Sequence, residues 1–158
     1  MDGALFRQLL GRFATGVTIL TARDGGGRIG GMTANSLASV SLVPPLVSVC
    51  VERLAEMHQV LDGATRYVLN VLSEAQEGLS RRFAVLPVAE RFHGVPYRET
   101  ENGLIVLEGV LAHIECERYA DFPLGDHTLF VGRVTGGSPG EGAPLLYYRG
   151  NYGSMRSQ

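Results

Sequence analysis

The sequence contains no lysine and no tryptophan, although it is 158 residues long. All fourteen basic residues are therefore arginines. Without lysine the chain cannot form a Schiff base with a carbonyl substrate, and it cannot supply the lysine of a P-loop. Arginine can still bind phosphate, because its guanidinium group donates two parallel hydrogen bonds. The absence of lysine excludes two kinds of active site and leaves phosphate recognition open.

Strong charge imbalance and long apolar runs are also missing. The formal net charge of -2 gives no electrostatic basis for nucleic-acid or membrane partners. No stretch approaches the roughly 18 apolar residues of a membrane span, and the N-terminus MDGALFRQLLGRF lacks the sustained apolar run of a signal peptide. Cys50 and Cys116 are expected to be reduced core thiols. We expect one cytoplasmic domain over residues 1–158, with no metal site.

Hydrophobic periodicity predicts a mainly β chain with short helices. A capping box is predicted at the start of the third helix, where Gln76 follows Ser73 by three residues. The predicted helices are 4–13, 55–63 and 74–84, and the predicted strands are 16–22, 29–34, 45–52, 67–72, 109–118, 126–135 and 144–148, with a loop over 85–103. Short turns between strands favour an antiparallel barrel or sandwich.

A glycine-rich turn matches the spacing of the dinucleotide-binding fingerprint, through Gly25, Gly27 and Gly30. In that fingerprint the last glycine opens a helix. Here it leads into GMTANSLASVS, residues 31–41, which is small, polar and uncharged. We interpret the glycines as a hairpin turn, and the segment that follows as a surface that a planar ligand can approach closely.

Three further features suggest a large, planar, phosphorylated ligand. Asp126-His127 begins a strand, where the imidazole either projects over a cleft or makes a local hydrogen bond. Arg81 and Arg82 end a helix, where they either bind phosphate or complement the helix dipole. The third feature is a C-terminal aromatic cluster, which either stacks on a planar ring or packs on itself: Tyr147, Tyr148 and Tyr152.

Six segments in order resemble the flavin reductase family with the FMN-binding split-barrel fold. They are FRQLLGRFATGVTILTA (6–22), GMTANSLASVSLVPPLVSVCV (31–51), YVLNVLSEAQEGLSRRFA (67–84), RFHGVPY (91–97), GDHTLFVGRV (125–134) and PLLYYRGNY (144–152). The resemblance implies a six-stranded antiparallel Greek-key split β-barrel, usually a homodimer. It also implies an NAD(P)H:flavin oxidoreductase that uses FMN or FAD with NADH or NADPH.

The resemblance also implies that the chain is the reductase of a two-component monooxygenase. In these systems the reductase supplies reduced flavin to a separate oxygenase by diffusion. The alternative on the same barrel is a non-catalytic protein that binds flavin or haem. A pyridoxamine phosphate oxidase is disfavoured because the chain has no lysine. The resemblance leaves the choice between NADH and NADPH open, since a 2′-phosphate pocket needs an arginine and several are free candidates: Arg53, Arg133 and Arg149.

The resemblance also implies which residues bind the cofactors. Segment 32–36 would edge the isoalloxazine ring, segment 50–53 would pass the ribityl and phosphate part, and His127 would act as the catalytic residue by positioning the nicotinamide. The implied cofactor-binding residues are Met32, Thr33, Ala34, Asn35, Ser36, Ser39, Ser41, Cys50, Val51, Glu52, Arg53, Arg81, Arg82, Phe83, His127, Tyr148, Arg149 and Tyr152.

One departure from the family pattern concerns the turn after the strand that ends near Glu52. Ala55 and Met57 stand where the family commonly has serine and threonine, which help to hold phosphate. Each lost hydrogen bond to a charged phosphate would cost on the order of 1.5–3 kcal/mol. We therefore expect weak flavin binding, with flavin acting as a diffusible substrate.

Overall fold

The computed structural model describes residues 1–155, which form a mainly antiparallel β structure with short helices. The helices within this range are α1 (Gly3–Leu10), α2 (Glu56–Asp62), α3 (Glu77–Val85) and α4 (Val88–Arg91), and a 3-10 turn (Glu74–Gln76) precedes α3. The strands are β1 (Thr15–Gly16), β2 (Thr18–Arg23), β3 (Ile29–Ala34), β4 (Ala38–Leu42), β5 (Pro45–Glu52), β6 (Arg66–Val71), β7 (Tyr97–Glu99), β8 (Ile105–Leu107), β9 (Ala112–Leu124), β10 (His127–Pro139), β11 (Leu146–Tyr148) and β12 (Asn151–Gly153).

The main sheet has the strand order β3-β2-β6-β9-β10-β5-β4, with every pair of neighbours antiparallel. Laid flat, seven strands would separate the two edges by about 29 Å. However, the edge strands β3 and β4 are joined by residues 35–37 alone, which can span at most about 14 Å. The sheet must therefore curl until its edges approach, which produces an open barrel. The split-barrel prediction is confirmed, and β4 is a strand beyond the predicted six.

The two largest hydrophobic clusters of the described residues pack on the curved sheet. The larger one fills the barrel and includes Leu20, Tyr67 and Phe130, each at most 1% exposed. The second is built around Phe83 and Leu72, between the sheet, α3 and the C-terminal strands. β2 is buried along almost its whole length because it contributes to both clusters.

A buried polar network fastens β8 to the sheet. The Asn70 side-chain amide donates to Ile19 O and to Thr21 Oγ1, both at 3.0 Å, and its Oδ1 accepts from Leu107 N at 2.9 Å. Thr21 Oγ1 in turn donates to Ile105 O at 2.6 Å. The network secures a β7–β8 hairpin in a part of the chain where no strand was predicted.

Local sequence signals produce the turns as expected. Asp24 Oδ1 accepts from the backbone N–H groups of Gly26 and Arg28, both at 2.9 Å, so the glycine-rich segment is the β2–β3 hairpin turn. The hydrogen bond from the Arg28 backbone is the main reason that the pKa of Asp24 lies below its usual value. The capping box also forms, with Ser73 N donating to Gln76 Oε1 at 3.0 Å. Both interpretations are confirmed.

Two parts of the chain differ from the predicted secondary structure. The β9–β10 hairpin runs to Leu124 and restarts at His127, so both strands extend beyond their predicted ends. The predicted loop over 85–103 contains α4 and β7. Among residues 1–155, the helices are too short or too polar for any of them to cross a membrane.

Candidate functional site

The link between the two edge strands forms the centre of the candidate site. Ser36 Oγ accepts from Cys50 N at 3.0 Å and donates to Cys50 O at 3.2 Å. A side chain thus continues the β4–β5 ladder beyond Ala38, which pairs with Ser48. The Ser36 hydroxyl holds the link against β5. Asn35, next to it, is exposed.

The rest of the uncharged segment divides between structure and surface. Thr33 Oγ1 donates to Ser80 O at 2.6 Å, which fastens β3 to α3. Ala34 is buried in the core, and Met32 packs against the same cluster. Ser39 is exposed and Ser41 is half-buried. The exposed polar side chains of this segment are therefore those of Asn35 and Ser39.

The C-terminal hairpin docks on α3 through Tyr152. The Tyr152 hydroxyl hydrogen-bonds Ser80 Oγ at 2.8 Å, and its ring lies 4.7 Å from the guanidinium carbon of Arg81. Tyr147 packs edge-on against Tyr152, with ring centroids 5.3 Å apart. Two of the three predicted tyrosines thus pack on each other, while Tyr148 is exposed.

Arg81, Arg82 and Phe83 have different surroundings at the end of α3. The Arg82 guanidinium donates to three backbone oxygens in the segment 90–93, at 2.6 to 2.9 Å. Phe83 is fully buried and meets Phe92 edge-on at 5.0 Å. Arg81 is exposed and bound to Glu77 at 2.7 and 2.9 Å. Of the three predicted residues, Arg81 alone presents its side chain to solvent.

The end of β5 is fastened to the turn before β10. Arg53 N donates to Asp126 O at 2.9 Å, and its Nη1 donates to Gly125 O at 3.1 Å. Glu52 pairs with His127 across the two strands. Of the other predicted residues on β5, Val51 is fully buried, and burial raises the pKa of the half-buried Cys50 thiol.

His127 is held by its neighbour in sequence. Its Nδ1 lies 2.7 Å from Asp126 Oδ1, and this hydrogen bond is the main reason that the pKa of Asp126 lies below its usual value. An ionised carboxylate only accepts, so Nδ1 carries the proton and a neutral ring leaves Nε2 as an acceptor. The side chain is 44% exposed. It can therefore present Nε2 to a ligand.

Ala55 and Met57 both differ from the family pattern in the turn after β5, but the structure places the Met57 side chain away from that turn. Met57 is 1% exposed and lies in the barrel core, next to Gly30. A hydroxyl at this position would face the core. Ala55 is the N-cap residue of α2, and no side chain caps that helix. Only Ala55 stands where a lost hydroxyl would have faced the turn.

A cleft of about 790 Å³ opens between α1 and the turn that joins β11 to β12. It brings together Asn35 and Arg149, which were both predicted, and adds Arg7 and Arg12, which were not. The sequence signal that could have found them is the absence of a carboxylate three or four residues away from either arginine. Asn35 joins this cleft to the link at Ser36, and β5 leads from there to His127.

The fold and the site together define a split β-barrel with an arginine-lined cleft beside an uncharged polar surface. Comparison with known proteins identifies the family. Residues 10–156 match the flavin reductase like domain. The chain belongs to this family.

Relatives and solved structures agree with the family match. The chain is 38% identical to a flavin reductase of Pseudomonas putida, over 98% of this chain and 91% of that protein. It is 40% identical to the FMN reductase (NADH) SmoA of Agrobacterium fabrum (strain C58 / ATCC 33970), over 97% and 86%. The flavin reductase PheA2 in its native state superposes with a TM-score of 0.90 at 40% identity, over 99% of this chain and 100% of that chain. Two relatives from Rhizobium meliloti are longer, and the chain spans 65% and 50% of them.

Proposed function

We propose that this chain is an NAD(P)H-dependent flavin reductase acting on FMN or FAD with NADH or NADPH. The observation that carries the proposal is the meeting of two surfaces at Asn35. One is the uncharged segment that closes the barrel at Ser36, and the other is the cleft lined by Arg149. The names of the relatives, which include FMN and FAD reductases that use NADH, support the same function.

The donor set fits a flavin nucleotide. Asn35 and Ser39 offer an exposed amide and hydroxyl without a charged neighbour in their segment, as the polar edge of an isoalloxazine requires. Asn35 and Ser36 follow the last β3 residue paired with β2, so their backbone N–H groups lie beyond that ladder. Exposed arginines at Arg53, Arg81 and Arg149 supply donors for phosphate.

His127 positions the nicotinamide. Bound flavin supplies the redox chemistry by accepting a hydride from the reduced nicotinamide. Asp126 fixes the His127 ring and its tautomer, so Nε2 accepts a hydrogen bond from an amide group of the nucleotide. The backbone N–H groups of Asn35 and Ser36 stabilise negative charge that develops on the ligand. No proton has to be donated by the protein in the hydride-transfer step.

The enzyme is a homodimer. Two groups of large apolar side chains are exposed on the single chain: Leu5, Phe6, Leu9, Leu10 and Phe13 on or after α1, and Val40, Leu42 and Val43 on and after β4. Exposed apolar surface of this extent is typical of a protein–protein interface. Light scattering should give about twice the 17.0 kDa mass of the chain, and a mass equal to one chain would contradict the proposal.

The chain acts as one domain in the cytoplasm and delivers reduced flavin to a separate oxygenase. The reductase components of two-component monooxygenases among the relatives support this role. Flavin is a diffusible substrate with weak affinity, since the turn after β5 has alanine at position 55. Retention of stoichiometric flavin through extensive dialysis would contradict that last point.

The test is the rate of NADH and NADPH oxidation by the purified protein with no flavin, with FMN and with FAD. We expect turnover that requires added flavin, with one preferred flavin and one preferred nucleotide. Absence of turnover in every combination would contradict the proposal. If flavin binding persisted in that case, the chain would be a non-catalytic flavin-binding protein.

A further inference from the structure

We propose that the Glu52 carboxylate stabilises the positive charge that the nicotinamide ring acquires when it gives up its hydride. The inference rests on the proposed function, because it assigns a further residue to the nicotinamide side of that reaction. In this step a C–H bond of the reduced ring breaks, and the flavin accepts the hydrogen with both bonding electrons. The nicotinamide ring is left with one positive charge, which a fixed carboxylate beside it stabilises.

Glu52 lies beside His127 on the outer face of the barrel. The two residues are paired across β5 and β10, and paired residues of antiparallel strands project from the same face with Cβ atoms about 4.5–5.5 Å apart. Their neighbours Val51 and Thr128 are buried, whereas Glu52 is exposed and the His127 side chain is 44% exposed. A ring held by His127 Nε2 therefore lies within reach of the Glu52 carboxylate.

The protein itself does not use the Glu52 carboxylate. Within residues 1–155 it forms no ion pair and accepts no hydrogen bond, and the adjacent Arg53 directs its Nη1 to Gly125 O at 3.1 Å. Asp126, the other carboxylate beside His127, is bound to His127 Nδ1 at 2.7 Å. Glu52 is thus the carboxylate left to meet a cation. Its charge disfavours a phosphate, so it faces the nicotinamide and not the flavin phosphate that the family resemblance places along 50–53.

The surface around this pair is largely apolar. On the side of His127 away from Glu52 lies Leu124, which is 59% exposed and pairs with His127 across β9 and β10. The next row on the same face is also apolar and consists of Cys50, Leu129 and Phe122. A planar ring that covers this row excludes water from the space beside the carboxylate. A charge acts more strongly in such surroundings than in bulk water.

The same face adjoins the link that the flavin is proposed to meet. Ser36 Oγ is bound to both backbone polar groups of Cys50, at 3.0 and 3.2 Å. Cys50 and Glu52 are two residues apart on β5, which is about 7 Å along the strand. Reacting atoms stand about 3–3.5 Å apart in a near-attack geometry. The face therefore has room for two planar rings in contact, one near Ser36 and one near Glu52.

The test compares the affinities of the protein for a charged and an uncharged nicotinamide ring. The probes are NAD⁺ and tetrahydro-NAD, an uncharged analogue that cannot donate a hydride, or their 2′-phosphates if the oxidation assay selects NADPH. Each is titrated by isothermal calorimetry with the preferred oxidised flavin at saturation, so no turnover occurs. We expect Glu52→Gln to weaken NAD⁺ binding about three- to tenfold and to change binding of the analogue less than about twofold.

Two variants serve as controls for this comparison. Glu101→Gln removes the same charge from an exposed glutamate in the turn between β7 and β8, and it should change both affinities less than about twofold. Glu52→Asp retains the carboxylate and should weaken NAD⁺ binding less than Glu52→Gln does. A loss in either control as large as in Glu52→Gln would overturn the inference. Equal losses for the two probes in Glu52→Gln, or no loss for NAD⁺, would overturn it as well.

Stopped-flow measurement of flavin reduction gives a second readout. Glu52→Gln should slow the reduction of flavin by the reduced nucleotide about three- to tenfold, while KM for that nucleotide changes less than about twofold. The reason is that the positive charge develops in the transition state and is absent from the reduced nucleotide. A raised KM with an unchanged rate would contradict the inference.

The inference and the proposed function fail in different ways. If the unmodified protein binds neither probe and oxidises neither NADH nor NADPH, the proposed function is wrong and the role of Glu52 is wrong with it. If the unmodified protein oxidises the nucleotide and Glu52→Gln leaves the ratio of the two affinities unchanged, the role of Glu52 alone is wrong.

Discussion

The arginines of the helices that pack on β3 and the arginines of the α1 cleft have different surroundings. In α3 and α4, which pack on β3, Arg82 donates to three backbone oxygens and Arg91 donates to Leu86 O and Gly31 O, at 2.7 and 2.6 Å. In the cleft beside α1, the side chains of Arg7 and Arg149 are free of such bonds to residues 1–155.

The difference shows that residue type alone does not identify a phosphate-binding group. A guanidinium whose donors are satisfied by fixed carbonyl oxygens has little left for a ligand. Burial also lowers the pKa of the Arg91 guanidinium. An arginine without such partners keeps its donors for a ligand. Surroundings therefore separate structural arginines from recognition arginines.

The largest expected effect is on the structural side. Arg82→Met removes the donors to three carbonyl oxygens in segment 90–93 and should lower the free energy of unfolding by about 2–4 kcal/mol. Urea denaturation measures the change. The control Arg133→Met lies at an exposed position and should change it by less than about 1 kcal/mol. Unchanged stability with a loss of flavin binding would show that Arg82 binds phosphate, as the resemblance implies.

The next effect concerns the nicotinamide side. His127→Ala removes one hydrogen-bond acceptor and should raise KM for the nucleotide about three- to tenfold, with a smaller change in flavin affinity. Steady-state kinetics and fluorescence titration measure the two quantities. The matched control is His93→Ala, since His93 is an exposed histidine that uses only its backbone oxygen to hold Arg82. A larger loss of flavin affinity than of nucleotide affinity would contradict the assignment.

A smaller effect on stability comes from the backbone conformation of Arg149. Arg149 has a φ of 52°, in the left-handed region, so Arg149→Gly relieves an unfavourable backbone conformation and Arg149→Ala retains it. The glycine variant should be more stable than the alanine variant by about 1 kcal/mol. Thermal denaturation tests the pair, and equal stability of the two variants would contradict the cost assigned to the left-handed conformation.

The smallest effect is the acid dependence of stability at Asp126. Its pKa in the folded state is lowered, chiefly by the hydrogen bond from His127. Its contribution is therefore present above the unfolded pKa of about 4 and is lost as the pH falls through the lower folded value. Asp126→Asn should lose less stability on acidification than the unmodified protein. Thermal denaturation between about pH 3 and 6 compares them. Parallel curves would contradict the assignment.

Much of the fold follows from local signals in the sequence. β5 occupies 45–52 as predicted, and the capping box at Ser73 forms because both of its side chains lie within one turn. β4 was interpreted only as a ligand-binding surface, although Ala38–Leu42 alternates apolar and polar residues as a strand does. β8 was missed because its stability depends on Asn70, which lies far away in the sequence.

The candidate site is less accessible to sequence reasoning. The resemblance pointed to Asn35 and Arg149, and the fold brings both to one cleft. Arg7 and Arg12 were missed because α1 shows an ordinary amphipathic pattern, and only the docking of the C-terminal turn makes a cleft beside it. Met57 illustrates the converse, since a position that matches a binding motif turns its side chain into the core.

The most direct test of the account is anaerobic mixing of the protein with oxidised flavin and reduced nicotinamide nucleotide. The visible absorbance of the flavin and the ultraviolet absorbance of the nucleotide are followed together. The account predicts that both decrease at equal molar rates, only when the protein is present, and more slowly in His127→Ala. Flavin that binds to the protein and stays oxidised in the presence of NADH and of NADPH would contradict it.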